Sequence, residues 1–302
     1  MTQNVPHSEP ATVNANGVEI VYDTFGDSGA PPLLLIMGLD LQMIAWDERF
    51  CSDLAARGYR VIRFDNRDVG LSTKFDDAGT PNVLAMIQAL AQRERVEAPY
   101  TLRDMADDAV GLLDALKIES THVVGTSMGG MIGQTMAIHH AQRVRTLTSI
   151  MSTTGDSRLP MATPEAFSVL MTPVPTDRSD YIETSLRAWR VLTGPAFPVD
   201  EDRVRELAGQ LFDRGLNPAG TGRQLAAIIA SGSRKKFLKS LKVPTLVIHG
   251  DADPLIPVEG GIDTANTIPG AKLLIVEGMG HALPVTPQVW PQVIGAIARH
   301  AV

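Results

Sequence analysis

Six short apolar runs, each without polar alternation and each stopped by a polar residue or glycine, constrain this chain more than any other feature. They are Leu33 to Met37 (ended by Gly38), Tyr59 to Phe64 (Asp65), His122 to Val124 (Gly125), Leu147 to Met151 (Ser152), Thr245 to Ile248 (His249-Gly250) and Leu273 to Val276 (Glu277-Gly278). A strand that is apolar on both faces belongs in a sheet covered on both sides, which is the habit of parallel sheets. Helical patterns lie between the runs, at Trp46 to Ala56, Thr101 to Leu116 and Met128 to His140, with a last one from Pro287 to Ala301. Strand and helix in alternation predict an α/β fold. Upstream, Asn16-Gly17 before Val18 to Tyr22 predicts a tight hairpin, because both residues tolerate positive φ.

Thr101-Leu102-Arg103-Asp104 reads as an acidic variant of the capping box, with Met105, Val110, Leu112, Leu113 and Leu116 as the buried stripe behind it. The alternation fails between about Gly155 and Lys242, where Pro160, Pro164, Pro173, Pro175, Pro195, Pro198 and Pro218 punctuate helix-like pieces. Phe167, Met171, Tyr181, Trp189, Phe197, Leu211 and Phe212 are enough to pack this stretch on a core but thin for an independent domain. The expected organisation is a core of residues 1–155 and 241–302 with an inserted helical cap, residues 156–240, over the sheet's C-terminal edge. A further helical stretch, Pro81 to Glu94, is expected on the same side.

With 302 residues, 44% of them hydrophobic and 20% charged, the chain can bury a sizeable core. Its net charge of -7 argues against a nucleic-acid or anionic-membrane surface, and its one basic cluster, Arg234-Lys235-Lys236, reads as a solvated helix end. Cys51 is the single cysteine, which rules out an intrachain disulfide and a C-x-x-C zinc site. The N-terminal segment has neither the positive start nor the apolar stretch of a secretory signal, and no apolar run approaches the ~20 residues of a membrane span. A cytoplasmic monomer or small homo-oligomer is the expectation, acting on a small molecule with neither nucleic acid nor membrane as partner.

The chemistry centres on Gly125-Thr126-Ser127-Met128-Gly129, which follows a buried strand and opens a helix. That context suits a nucleophile elbow, a sharp turn that presents a serine hydroxyl; the alternative is an ordinary strand-to-helix turn capped by serine. A serine hydroxyl needs a general base, and the base needs an acid to fix its tautomer. His281, in Gly278-Met279-Gly280-His281-Ala282 after the last strand, is the candidate base; its rival His249 ends a strand and reads as a buried, hydrogen-bonded residue. His7, His122, His139, His140 and His300 lie at a tail, a strand start, a helix and the C-terminus, where structural roles are expected. Asp251 and Asp253 both stand on the loop after Thr245 to Ile248. Asp253 is favoured because it lies far enough beyond Gly250 to reach His281, whereas Asp251 is better placed for a turn bond. Two backbone N–H groups, of Met128 and of Leu39, are the candidate oxyanion donors. The Leu39 side chain also reads as plain core.

With these residues located, the whole chain resembles the α/β-hydrolase superfamily, and its Ser-nucleophile carboxylesterase branch in particular. Gly125 to Gly129, Gly250 to Asp253 and Gly280-His281 match the family's catalytic positions in the family's chain order. Asp65 to Ser72 is similar to the family's D-x-R-G-x-G-x-S turn, with Asp68 in place of the usual glycine. Met37-Gly38 stands where the family often has His-Gly, so a polar side chain that could order this loop is missing. The resemblance implies a mostly parallel eight-stranded sheet flanked by helices, no metal and no organic cofactor. Ser127 disfavours the branches that use an aspartate nucleophile.

The expected activity is ester hydrolysis through an acyl-enzyme. Lactone opening, perhydrolysis or carbon–carbon cleavage on the same residues, and a binding protein with an idle triad, are the alternatives that fold does not separate.

Overall fold

The structure, a computed structural model, describes residues 5–283 and 289–301. It starts with β1 (Ala11–Ala15) and β2 (Val18–Phe25), joined by Asn16 and Gly17 at φ 54° and 80°. Two successive positive φ values match the twist of paired strands, as the dipeptide predicted. β3 (Pro32–Ile36) leads to α1 (Glu48–Ala55), and β4 (Arg60–Phe64) to α2 (Val83–Ala91) and α3 (Leu102–Ala115). β5 (Thr121–Thr126) turns directly into α4 (Met128–His139), and β6 (Val144–Ile150) follows. Five helices come next: α5 (Pro164–Met171), α6 (Arg178–Leu192), α7 (Glu201–Arg214), α8 (Pro218–Ser231) and the short α9 (Lys235–Leu238). β7 (Thr245–Gly250), α10 (Val258–Thr267), β8 (Lys272–Val276) and α11 (Trp290–His300) complete the chain. The expected start of the last helix, Pro287, lies outside the described residues.

The eight strands form one sheet in the order β1-β2-β4-β3-β5-β6-β7-β8. Only the β1–β2 and β2–β4 pairs are antiparallel; the six apolar runs are the six parallel strands. Because successive side chains of a strand point to opposite faces, β3 serves two cores. Leu34 and Ile36 pack with Met105, Leu112 and Leu113 of α3 and Ile132 and Met136 of α4. Leu33 and Leu35 pack on the other face with Phe50 and Leu54 of α1 and Val293 and Ile297 of α11. At roughly 1.5–3 kcal/mol for each large side chain removed from water, these two layers dominate the stabilisation. β8 departs from the expected burial on both faces: it is the sheet edge, and Leu273 and Ile275 remain 40% and 36% exposed.

α3 opens with the expected box, the Thr101 N–H donating to Asp104 at 2.8 Å and the Arg103 N–H to the Thr101 hydroxyl at 3.2 Å. α2 packs against α8, so the stretch from Pro81 to Glu94 does lie beside the inserted helices. Those helices own only a small apolar cluster, Tyr181, Ala208 and Leu211, seated on Leu41 and Ile44 of the loop after β3. The basic cluster is less solvated than its charge implied. Arg234 is buried and donates to Gln134 at 3.0 Å and to the Thr153 carbonyl at 2.7 Å, and Lys235 pairs with Asp156 and Asp263. Among the described residues, no helix is long and apolar enough to cross a membrane.

Candidate active site

Ser127 sits between the end of β5 and the start of α4 with φ 52° and ψ −119°, a backbone region that side chains with a Cβ rarely enter. Such a residue stores roughly 1–3 kcal/mol and persists only where its surroundings fix it. Here the Ser127 N–H donates to the Ile150 carbonyl at 2.9 Å, and the Ser152 hydroxyl donates to the Ser127 carbonyl at 2.9 Å. The flanking glycines are required by close approach. A Cβ on Gly125 would lie 2.1 Å from the Gly129 carbonyl oxygen, and one on Gly129 would lie 2.1 Å from that of Ile36. The elbow context of the motif is therefore present in full.

The loops after β7 and β8 bring the other two candidates to this turn. His281 Nδ1 lies 2.8 Å from Asp253 Oδ2, and His281 Nε2 lies 3.0 Å from Ser127 Oγ. The carboxylate fixes the tautomer: Nδ1–H donates to Asp253, which leaves the Nε2 lone pair to accept the serine hydroxyl. Asp253 Oδ1 meanwhile accepts the N–H groups of Leu255 and Ile256 at 2.9 Å each, so the carboxylate cannot rotate away. Burial would raise the Asp253 carboxyl, but the His281 and His249 rings outweigh it and hold it down at about 2. Asp253 stays an anion at any physiological pH.

Asp251, the rival, does not reach His281; it accepts the Gly278 N–H at 2.6 Å and ties the two loops together. The local turn bonding expected of Asp251 is made by Asp253 instead. His249 is fully buried, with Nε2 2.8 Å from the Ile256 carbonyl oxygen, as its position at a strand end implied.

The histidine loop is gripped from the inserted helices. The His281 N–H donates to the Leu192 carbonyl at 2.6 Å and the Gly280 N–H to that of Thr193 at 2.9 Å, so the last turn of α6 finds donors for carbonyls that a helix end leaves open. The loop after β3 passes on the other side of Ser127, where a Cβ on Gly38 would come within 3.3 Å of the serine Cβ. Neither the Leu39 nor the Met128 N–H is engaged by a described residue. Met128 is the first residue of α4, where the helix dipole favours negative charge. The Leu39 side chain packs partly buried against the core, as its reading as plain core expected.

Sequence reasoning missed the polar ties that fasten the inserted helices to the core. Arg223 of α8 is fully buried and grips Asp68 with two bonds of 2.8 and 2.7 Å, while the Tyr100 hydroxyl donates to the same carboxylate at 2.7 Å. The replacement of the family's glycine by Asp68 was the visible half of that signal; its partner lies 155 residues away. A cavity of about 380 Å³ between α1, α6, α7 and α11 is lined by Trp46, Trp189 and Trp290 among others, and by none of Ser127, Asp253 and His281. Trp189, one of the apolar residues expected to pack the inserted stretch on the core, faces this cavity. Among the described residues, no group of three or more His, Cys, Asp or Glu side chains converges as a metal site requires.

Comparison with known proteins places the chain in a family. The chain matches the alpha/beta hydrolase fold family over residues 31–286. It is 31% identical over 320 residues to rhodomycin D methylesterase DauP of Streptomyces sp. (strain C5), with 95% of this chain and 96% of that protein covered. The solved structure of the esterase RhEst1 from Rhodococcus sp. ECU1013 superposes with a TM-score of 0.71 at 22% identity, over 99% of this chain and 100% of that one. The enol-lactonase from Burkholderia xenovorans LB400 superposes with a TM-score of 0.70 at 22% identity, over 96% and 100%. At 22% identity these two structures speak for the fold alone. The sheet order, the family match and the relative at 31% identity agree: the chain belongs to the α/β-hydrolase family.

Proposed function

We propose that this protein is a serine hydrolase that cleaves carboxylic esters through an acyl-enzyme, with Ser127 as nucleophile, His281 as general base and acid, and Asp253 as its orienting anion. The observation that carries the reading is the continuous line of contacts from Asp253 Oδ2 through His281 to Ser127 Oγ, at 2.8 and 3.0 Å. His281 Nε2 takes the Ser127 proton as Oγ bonds to the ester carbonyl carbon, and the carbonyl π pair moves onto oxygen. The Leu39 and Met128 N–H groups receive that oxyanion. Its collapse breaks the carbon–oxygen bond to the alcohol, which leaves with the proton from Nε2. Water then loses a proton to His281 and attacks the acyl carbon, and a second collapse returns the proton to Ser127 and frees the acid. Asp253 keeps its charge throughout and stabilises the imidazolium at each step.

Residues 156–240 act in this reading as a cap on a core made of 1–155 and 241–302. The contacts of Leu192 and Thr193 with the histidine loop support that role. The methylesterase named at 31% identity makes a methyl carboxylate ester the first substrate class to try. The test is a panel of methyl, ethyl and butyl esters of one aryl acid, together with an aryl lactone and a diketone. Multiple turnover of the methyl ester, with kcat/KM falling as the alkoxy group lengthens, supports the reading. Turnover of the lactone or diketone alone would replace it, and tight binding without turnover of any of them would remove the enzyme reading.

A further inference from the structure

We infer that Gln224 of α8 and Asn66 of the loop after β4 are positioning residues that together aim the Leu39 N–H at the oxyanion, an inference that rests on the function proposed above. Three consecutive peptide units run past Ser127. In the first, between Met37 and Gly38, the carbonyl of Met37 accepts the Asn66 side-chain amide at 3.1 Å. In the third, between Leu39 and Asp40, the Asp40 N–H donates to Gln224 Oε1 at 2.9 Å. The middle unit carries the Leu39 N–H, which no described residue engages. Its plane is therefore held from both sides, with only the torsions of Gly38 and Leu39 between the two anchors.

The anchors themselves are rigid. Asn66 is 2% exposed and Gln224 is fully buried. Gln224 Nε2 donates to the Arg67 carbonyl at 2.9 Å, so the amide cannot flip without losing two bonds. Asp40 is set at φ 64° and its carboxylate accepts the Thr221 hydroxyl one turn earlier on α8. Further along, Gln42 donates to the carbonyls of Leu211 and Gly215 at 2.8 and 2.9 Å, which fixes the far end of the loop to α7. The loop has Met37 beside Gly38 and no polar side chain of its own facing this task. The two peptide units that flank the Leu39 N–H are held instead by side chains from two other parts of the chain, Asn66 and Gln224.

Preorganised donors matter because they need no reorientation as charge develops; removing one typically costs about 10²–10³ in kcat. A donor loosened rather than removed is expected to cost about 10- to 100-fold. The experiment compares Gln224→Met, Gln224→Glu and Asn66→Ala with the wild type in kcat, KM and inhibition by an aryl trifluoromethyl ketone, which forms a tetrahedral oxyanion on the nucleophilic serine. Gln224→Met and Asn66→Ala are expected to lose about 10- to 100-fold in kcat with KM within threefold, and to bind the ketone more weakly by the same factor. Gln224→Glu, a buried carboxyl that keeps the acceptor for Asp40, is expected to restore kcat at pH 6 to within threefold. A kcat within twofold of wild type in folded Gln224→Met and Asn66→Ala, or a loss confined to KM in both, would overturn the inference. Failure of the ester reading itself is separate: the wild type would then show no turnover and no inhibition by the ketone.

Discussion

The buried pair of Arg223 and Asp68 offers the most demanding test of how the inserted helices are attached. Replacing Arg223 by Met keeps the length of the side chain but removes the guanidinium paired with an Asp68 side chain that is 0% exposed. Breaking a buried pair from one side typically costs about 3–5 kcal/mol, because the remaining charge keeps its desolvation cost and loses its partner. The lost bonds from Arg223 to the Gly79 carbonyl and to Asp76, at 2.7 and 3.2 Å, act in the same direction. Unfolding entropy of about 2.1 cal/mol/K per residue gives about 0.6 kcal/mol/K for a chain of this length. The expected loss in Tm is therefore about 5–8 °C, read by scanning calorimetry at pH 7.5. Adding Asp68→Asn should recover more than half of it, since the orphan charge is gone. Asn also tolerates φ 68°, its Oδ1 still accepts the Phe75 N–H, and its side-chain amide can donate to the Tyr100 oxygen in place of the bond that the carboxylate accepted. An Arg223→Met variant that unfolds within 1 °C of wild type would refute the reasoning, as would a double variant no better than the single one.

Three shorter predictions concern individual side chains. Asp253→Asn should lower kcat by about 10⁴ with little change in Tm, because the amide favours the wrong His281 tautomer, whereas Asp251→Asn should cost less than tenfold; equal losses in initial rate would contradict the assignment. The Asp40 carboxyl is pushed up to about 6 by burial, partly opposed by the Thr221 hydroxyl. The folded chain thus keeps a proton that the unfolded chain releases from about pH 4 upward, and stability falls as pH rises through pH 4–6. Asp40→Asn removes that slope, so its Tm relative to wild type should be higher at pH 7.5 than at pH 4, and an equal difference at both would refute it. Burial pushes the Cys51 thiol up to about 12, so the native protein should leave a thiol-specific chromogenic disulfide unreacted until it unfolds; rapid native labelling would contradict that.

How much of this was readable in advance follows from the range of the interactions involved. Local signals were reliable: Asn16-Gly17 set a hairpin, Thr101 and Asp104 set a capping box, and unalternated apolar runs marked the six parallel strands. The edge strand β8 misled for a physical reason, since Leu273 and Ile275 share the composition of buried strands but stand at the open edge of the sheet, with no strand beyond them among the described residues. Ser127, Asp253 and His281 could be picked because each stands just past a strand end, and a parallel sheet gathers those ends on one edge. The ties between α8 and the core were not readable. Arg223 with Asp68, Gln224 with Asp40 and Gln42 with the carbonyls of α7 are pairings across more than 150 residues, and nothing in a polar residue on a helix says which distant loop it will hold.

The central claim is that Ser127, activated by His281, is the residue that becomes acylated. Intact-protein and peptide mass spectrometry after exposure to an aryl phosphonate ester tests it directly, because phosphonylation traps the attacking oxygen as a stable adduct. One adduct per chain, mapped to Ser127, absent from Ser127→Ala and formed at least 100-fold more slowly by His281→Ala, is the predicted result. An adduct on any other residue, or equal labelling of Ser127→Ala, would contradict the account.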